Sequence, residues 1–206
     1  MAVAIDRELL GDVNKPNLEA INYAIRKLKE RQGRLDKLAD YYNRNQEVNN
    51  HRFENAKVKA SNVMINHAKY ITDMNVGFMT GNPVKYTAKK GKNIDDVLEA
   101  LEKIDIHKHD IELEKDLSVF GCAYELLYVH KEDGVSKVKI GKIDPRGIVV
   151  VTDDTLDHNP LFAIYYQEKH DLNGASNGYL ITIFTKQNII TYRTKVGSIL
   201  GDSNIA

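Results

Sequence analysis

Two short clusters carry side chains that could hold a metal. His107-x-His109 is flanked by Asp105 and Asp110, and imidazole and carboxylate are both zinc ligands. On an extended linker His107 and His109 would point to the same side, but the sequence names no third ligand beside them. Exposed histidines between two helices are the simpler expectation. Asp153-Asp154-x-x-Asp157-His158 offers hard oxygens suited to a divalent cation. It lacks the glycine and terminal glutamate of an EF-hand loop, so it reads as a polar turn between strands. Lys89-Lys90-Gly91-Lys92 is a basic turn without a phosphate-cradling glycine pattern, and is read as a solvated loop. Cys122 has no histidine partner nearby in sequence and is expected to be a small buried residue at a strand start. His67 interrupts an apolar stripe and is read as a core histidine. There is no G-x-S-x-G elbow, Walker loop or H-E-x-x-H motif. No catalytic, cofactor-binding or metal-binding residue is assigned, no cofactor is expected, and the chain is not read as an enzyme.

The elements that would position these groups are organised around residues 60–86. Read as a helix, this stretch has an apolar side of Ala60, Met64, Ile71, Met74 and Phe78. Gly81 is expected to close the helix in the left-handed conformation, and Pro83 cannot continue it. Gly81→Val is therefore expected to damage folding. Val84-Lys85-Tyr86-Thr87 reads as a short strand. The helix of 60–80 is expected to be the longest platform for the other elements.

An earlier helix is predicted over 18–42, capped by Asn17. Leu18, Ile21, Ile25, Leu28, Gln32, Leu35, Ala39 and Tyr42 follow alternating three- and four-residue spacings. This seam could pair with another subunit, but fewer than four heptads favour an ordinary amphipathic helix on its own core. Gly33 beside Gln32 costs about 1 kcal/mol relative to alanine, which marks a place where the helix could divide. Residues 43–54 read as a polar loop with His51 exposed. Asn93 is expected to cap a helix with Asp95 and Asp96 in its first turn. A second acidic helix is expected from Asp110 to Gly121. The period then becomes that of strands: 123–129, a turn at Asp133-Gly134, 135–143, 147–152, 161–167, 179–185 and 188–193. The expected fold class is α+β, with long helices followed by an antiparallel meander. The expected divisions are a flexible arm at 1–16, a helical region at 17–121, a β region of the same domain at 122–195, and a weak tail at 196–206.

Composition excludes several classes. The chain has 206 residues, 42% hydrophobic and 28% charged, which suits one or two globular domains. Its 29 basic and 29 acidic residues cancel, so a strongly basic nucleic-acid binder is not indicated. Apolar runs such as 147–151 are far too short to span a bilayer, and no secretory leader pattern opens the sequence. A single cysteine fits an intracellular, reducing origin. Charge is uneven: residues 15–44 hold eight basic and four acidic side chains, while residues 93–116 hold nine acidic and three basic. Head-to-tail contact between a basic and an acidic region of successive subunits is one expectation from this pattern. Arg26, Lys27, Lys29, Arg31 and Arg34 also admit a nucleic-acid-binding module, the least favoured reading.

Three pieces of the sequence, in order, resemble phage portal proteins of the siphophage head-to-tail connector type. They are Asp40-Tyr41-Tyr42, then HAKYITDMNVGFMTGNPVKY at 67–86, then KDLSVFGCAYELLYV at 115–129, with Asp144-Pro145-Arg146 following. The resemblance covers about 35–154. It implies a structural subunit of a closed ring of roughly a dozen copies at one capsid vertex, through which DNA is packaged and ejected. It implies contacts with neighbouring subunits, capsid and scaffolding proteins. It also implies double-stranded DNA passing through the channel without sequence-specific reading, and no membrane partner. The implied location is the virion, and the bacterial host cytoplasm during assembly. By the same resemblance the chain is the wing-like part. The stem, tunnel loop and clip, and with them the terminase and tail-adaptor contacts, are expected to lie in missing regions. A remnant, an excised piece and a natural short protein are all consistent with that. A short portal-like protein that co-assembles with and interferes with a full-length portal is the alternative.

Overall fold

The computed structural model describes residues 2–45, 65–132 and 134–195. They divide into two compact units, one of Met1–Gly33 with Pro145–Ala206 and one of Arg34–Asp144. Among the described residues the division falls elsewhere than the expected boundaries at 16 and 121. Helix α1 (Leu18–Tyr42) contributes to both units. Asn17 starts it as expected, its Oδ1 accepting the Ala20 N–H at 2.8 Å. The helix does not break at Gly33, yet the unit boundary falls there. Along the seam, Ile21, Ile25, Leu28, Leu35 and Ala39 are buried within this one chain. The seam is thus the amphipathic face of an ordinary helix, already covered, rather than a stripe kept for another subunit.

In the first unit a five-stranded sheet runs in the order β1-β6-β7-β8-β9. Its strands are β1 (Ala2–Ile5), β6 (Ile148–Asp153), β7 (Pro160–His170), β8 (Ser176–Phe184) and β9 (Ile189–Thr194). Strands β6 to β9 form the expected antiparallel meander. Strand β6 is the run Ile-Val-Val-Val-Thr-Asp, almost continuously apolar and buried, as a strand covered on both sides must be. Val149, Val151, Ile164 and Ile183 are fully buried with Ile21, Ala24 and Leu28 of α1. Gly178 lies at φ +102°, where a Cβ would collide with the carbonyl oxygen of Thr194, so only glycine fits.

The N-terminal residues, expected to be a flexible arm, are built into this unit. β1 pairs in parallel with β6, from Ala2 opposite Val150 to Ile5 opposite Asp153. A 3-10 turn (Arg7–Leu9) and a short antiparallel pair, β2 (Gly11–Asp12) with β3 (Lys15–Pro16), follow. Leu10 is fully buried in the core. Four residues give too short a pattern to announce a strand whose partner lies far along the chain.

The second unit holds the end of α1, α2 (His67–Thr80), α3 (Asp95–Lys103) and α4 (Ile106–Phe120). A hairpin of β4 (Tyr124–Glu132) and β5 (Val135–Ile143) forms a separate two-stranded sheet. The architecture is α+β, as expected, but its strands fall into separate sheets rather than one meander. Several details correct the expectations. Asn66 caps α2, its Oδ1 accepting the Lys69 N–H at 2.9 Å, so this helix starts at His67. At 14 residues it is shorter than the 25-residue α1. Gly81 is right-handed, at φ −60° and ψ −25°. A Cβ there would lie 2.6 Å from the Gly77 carbonyl oxygen, so the position resists a side chain through a clash and not through a left-handed turn. Residues 84–87, expected as a strand, are exposed and pair with no described strand.

Helix α4 starts at Ile106, ahead of Asp110, because Asp105 adopts a left-handed conformation (φ 50°) and its side chain accepts the Lys108 N–H. Gly121 ends it at φ 72°, as expected. Gly134 turns the hairpin at φ +79°. Asp133, His51, Ala60, Met64 and the 196–206 tail lie outside the described residues.

Candidate assembly surface

Helix α2 is held from one side. Thr72 is its buried residue, and α2 packs on α4. Tyr42, at the end of α1, organises the contact. Its hydroxyl donates to Asp73 Oδ1 at 3.0 Å, and its backbone carbonyl accepts Asn66 Nδ2 at 2.8 Å. Lys69 Nζ reaches the Tyr42 hydroxyl at 3.0 Å and Asp73 Oδ2 at 3.1 Å. The Tyr42 ring also faces two ammonium groups, Lys69 at 4.6 Å and Lys115 at 4.9 Å from its centroid. Burial pushes the Asp73 carboxyl up, but the hydrogen bonds from Lys69 and Tyr42 outweigh it and hold the group below its ordinary value.

The other side of α4 meets the hairpin through a buried carboxylate. Asp116 is 6% exposed and lies 3.1 Å from Lys142 Nζ on β5. Desolvation raises the Asp116 pKa, and Lys142 opposes the shift. Glu112 is a looser partner of the same lysine at 3.9 Å.

These anchors leave a broad apolar surface outside. Ile71 (65% exposed), Met74 (59%) and Phe78 (86%) form a stripe at i, i+3 and i+7 on α2, flanked by Tyr70 and Met79. The stripe that the sequence offered as a core platform therefore faces outward, and His67 is exposed with it. On the hairpin, Leu127 lies opposite Ile140 and Val129 opposite Val138, and Leu127, Val129 and Val138 are exposed. Between α3 and β5 runs an open groove of about 780 Å³, with Ala100 and Ile104 on one wall and Val138 and Ile140 on the other.

The candidate metal residues do not converge. His107 and His109 are on α4, where residues two apart do not share a face. His109 Nε2 instead meets Glu125 Oε2 of β4 at 2.9 Å. Asp153 is buried in the β6–β7 turn, accepting Thr155 Oγ1 at 2.7 Å, the Asn159 N–H at 2.8 Å and Asn159 Nδ2 at 3.2 Å. Those bonds, led by Thr155, hold its pKa below the ordinary value and commit its carboxylate to shaping the turn. Asp154 and Asp157 are exposed, and His158 closes the turn at φ 47°. Cys122 is half-buried. Lys89 to Lys92 form an exposed turn with Gly91 at φ +80°.

The basic residues of α1 ahead of Gly33 serve the first unit, while Arg34 and Lys37 belong to the second. Lys29 sits over Tyr166 and Tyr179, whose rings stack 4.8 Å apart. Burial raises the Tyr166 hydroxyl far above its ordinary pKa. Arg26 and Lys27 lie over the Tyr23 ring, and Arg31 Nη2 donates to the Ile148 carbonyl at 3.1 Å. Sequence reasoning found the apolar side of α2 but assigned it to the core. Nothing in its periodicity distinguishes a stripe covered by its own chain from one that is not.

A family model described as phage portal protein, SPP1 Gp6-like, matches residues 21–205. The chain belongs to that family, and its role is that of a structural, portal-type component of a virion. The family implies assembly into a ring and association with a capsid. No curated protein matches the sequence. Among the described residues no helix is long and apolar enough to cross a membrane.

Proposed function

We propose that this chain forms the wing-like part of the portal ring at one capsid vertex, where DNA enters during packaging and leaves on ejection. The observation that carries the reading is the outward apolar face of α2, which lies within the stretch 67–86 that resembles the family signature. A helix fastened through Thr72, Tyr42 and Asp73 on one side and apolar on the other is shaped to be covered in an assembly. Neighbouring subunits are the first partners, with capsid and scaffolding proteins at the periphery. DNA passes the ring without being read, which agrees with a chain of zero formal net charge in which Lys29 is held over two tyrosine rings and Arg31 by a backbone carbonyl.

The test is the mass of the purified chain by light scattering with negative-stain imaging, alone and mixed with a complete family portal subunit. Incorporation into rings in either condition is the expected outcome. A chain that stays monomeric alone and never enters rings of the complete subunit would contradict the proposal.

A further inference from the structure

Five exposed side chains (Tyr70, Ile71, Met74, Phe78 and Met79) form a convex apolar strip on α2. An aromatic side chain can bury roughly 150–250 Å². A strip of this size with its flanks approaches the ~800 Å² per partner of a standard protein interface. The same unit carries a concave counterpart in the groove between α3 and β5. The charges on the groove's walls are partly neutralised in place, Lys103 with Glu99 and Lys137 with Glu132. On the strip side Lys69 is paired with Asp73. Both surfaces are therefore apolar at the centre, with part of their charge cancelled at the edge.

A ring is closed by head-to-tail contacts, each joining two unlike surfaces of one chain. We infer that the α2 strip of one copy seats in the α3–β5 groove of the next, with Phe78 as its anchor against Val138, Ile140, Ala100 and Ile104. This is a helix-in-groove contact, in which residues at i, i+3 and i+7 supply the affinity. The inference rests on the ring reading above and names the surfaces that mate. A capsid or scaffolding protein in the groove is the competing occupant.

The experiment uses the full chain and two variants. Phe78→Asp spoils the strip and leaves the groove, while Val138→Asp spoils the groove and leaves the strip. Both positions are exposed, and circular dichroism checks that each variant folds. Ala100→Arg is a second groove variant should Val138→Asp weaken the hairpin. The unmodified chain should form ring-sized species, and each variant alone should be monomeric. A one-to-one mixture of the two should reach twice the monomer mass and stop, because one sound strip and one sound groove remain.

The inference is overturned if either variant assembles like the unmodified chain or if the mixture stays monomeric. It is also overturned if the Phe78→Asp chain enters rings of a complete portal subunit as well as the unmodified chain does. In those cases the portal reading stands and only the mating surfaces are wrong. A chain that enters no ring under any condition removes both.

Discussion

The two units bury their apolar residues in opposite ways. Among the described residues, the buried hydrophobic side chains all belong to the first unit except Leu35, Ala39 and Ile143. The large exposed ones all belong to the second except Leu9, Leu156, Leu172 and Ile189. The first unit has a helix laid on a five-stranded sheet, a layered arrangement that encloses a core. Among its described residues the second has the end of α1, three further helices and a two-stranded hairpin, which bury few apolar side chains. Its fixed points are polar: Tyr42 with Asp73 and Lys69, and Asp116 with Lys142. One region is stable by what it covers within itself. The other is positioned by hydrogen bonds and presents what remains uncovered.

Substitutions can break this contrast at points of decreasing force. The largest effect is expected in the first unit. Ile164→Ala empties a fully buried site and should cost about 2–5 kcal/mol in denaturant unfolding. A loss near zero would mean that the core is not where the contrast puts it.

Next comes the polar anchor of the second unit. Lys142→Met leaves the buried Asp116 carboxylate without its cation and should cost about 1–3 kcal/mol near neutral pH. The cost should shrink on acidification, because protonation removes the unpaired charge. A cost that does not change with pH would contradict a charged Asp116.

A smaller effect separates the units by acid. The folded-state pKa of Asp153 lies below 3.8. Its stabilisation is therefore complete above the unfolded value and is lost as pH falls through the folded one. Asp116 is raised above 3.8, so acidification from neutral pH favours its folded form. Asp153→Asn should accordingly lower stability at neutral pH and lose its effect in strong acid, as followed by melting temperature across pH. The smallest effect is at the exposed strip. Phe78→Ala should change the stability of the isolated chain by no more than about 0.5 kcal/mol while weakening assembly.

Local signals in the sequence placed much of this. The three-and-four spacing from Leu18 to Tyr42 and the Asn17 cap gave α1 with both ends correct, because helix periodicity and capping act within a few residues. Gly121 closed α4 for the same reason. Contacts remote in sequence were not legible. Strand β1 depends on pairing with β6. The turn into α4, though local, depends on a left-handed Asp105, a conformation few non-glycine residues adopt. Once α4 begins at Ile106, His107 and His109 lie on a helix and diverge, instead of sharing the one side that an extended linker would give them. The α2 stripe shows the limit most clearly. Its spacing announced an apolar face, but whether a face is core or surface depends on what else is folded against it.

The most direct test is to tag this chain in cells producing the phage and label purified capsids for electron microscopy. Label is expected at one vertex of each particle. Label spread evenly over the shell, or capsids without label while the chain stays in the soluble fraction, would contradict it.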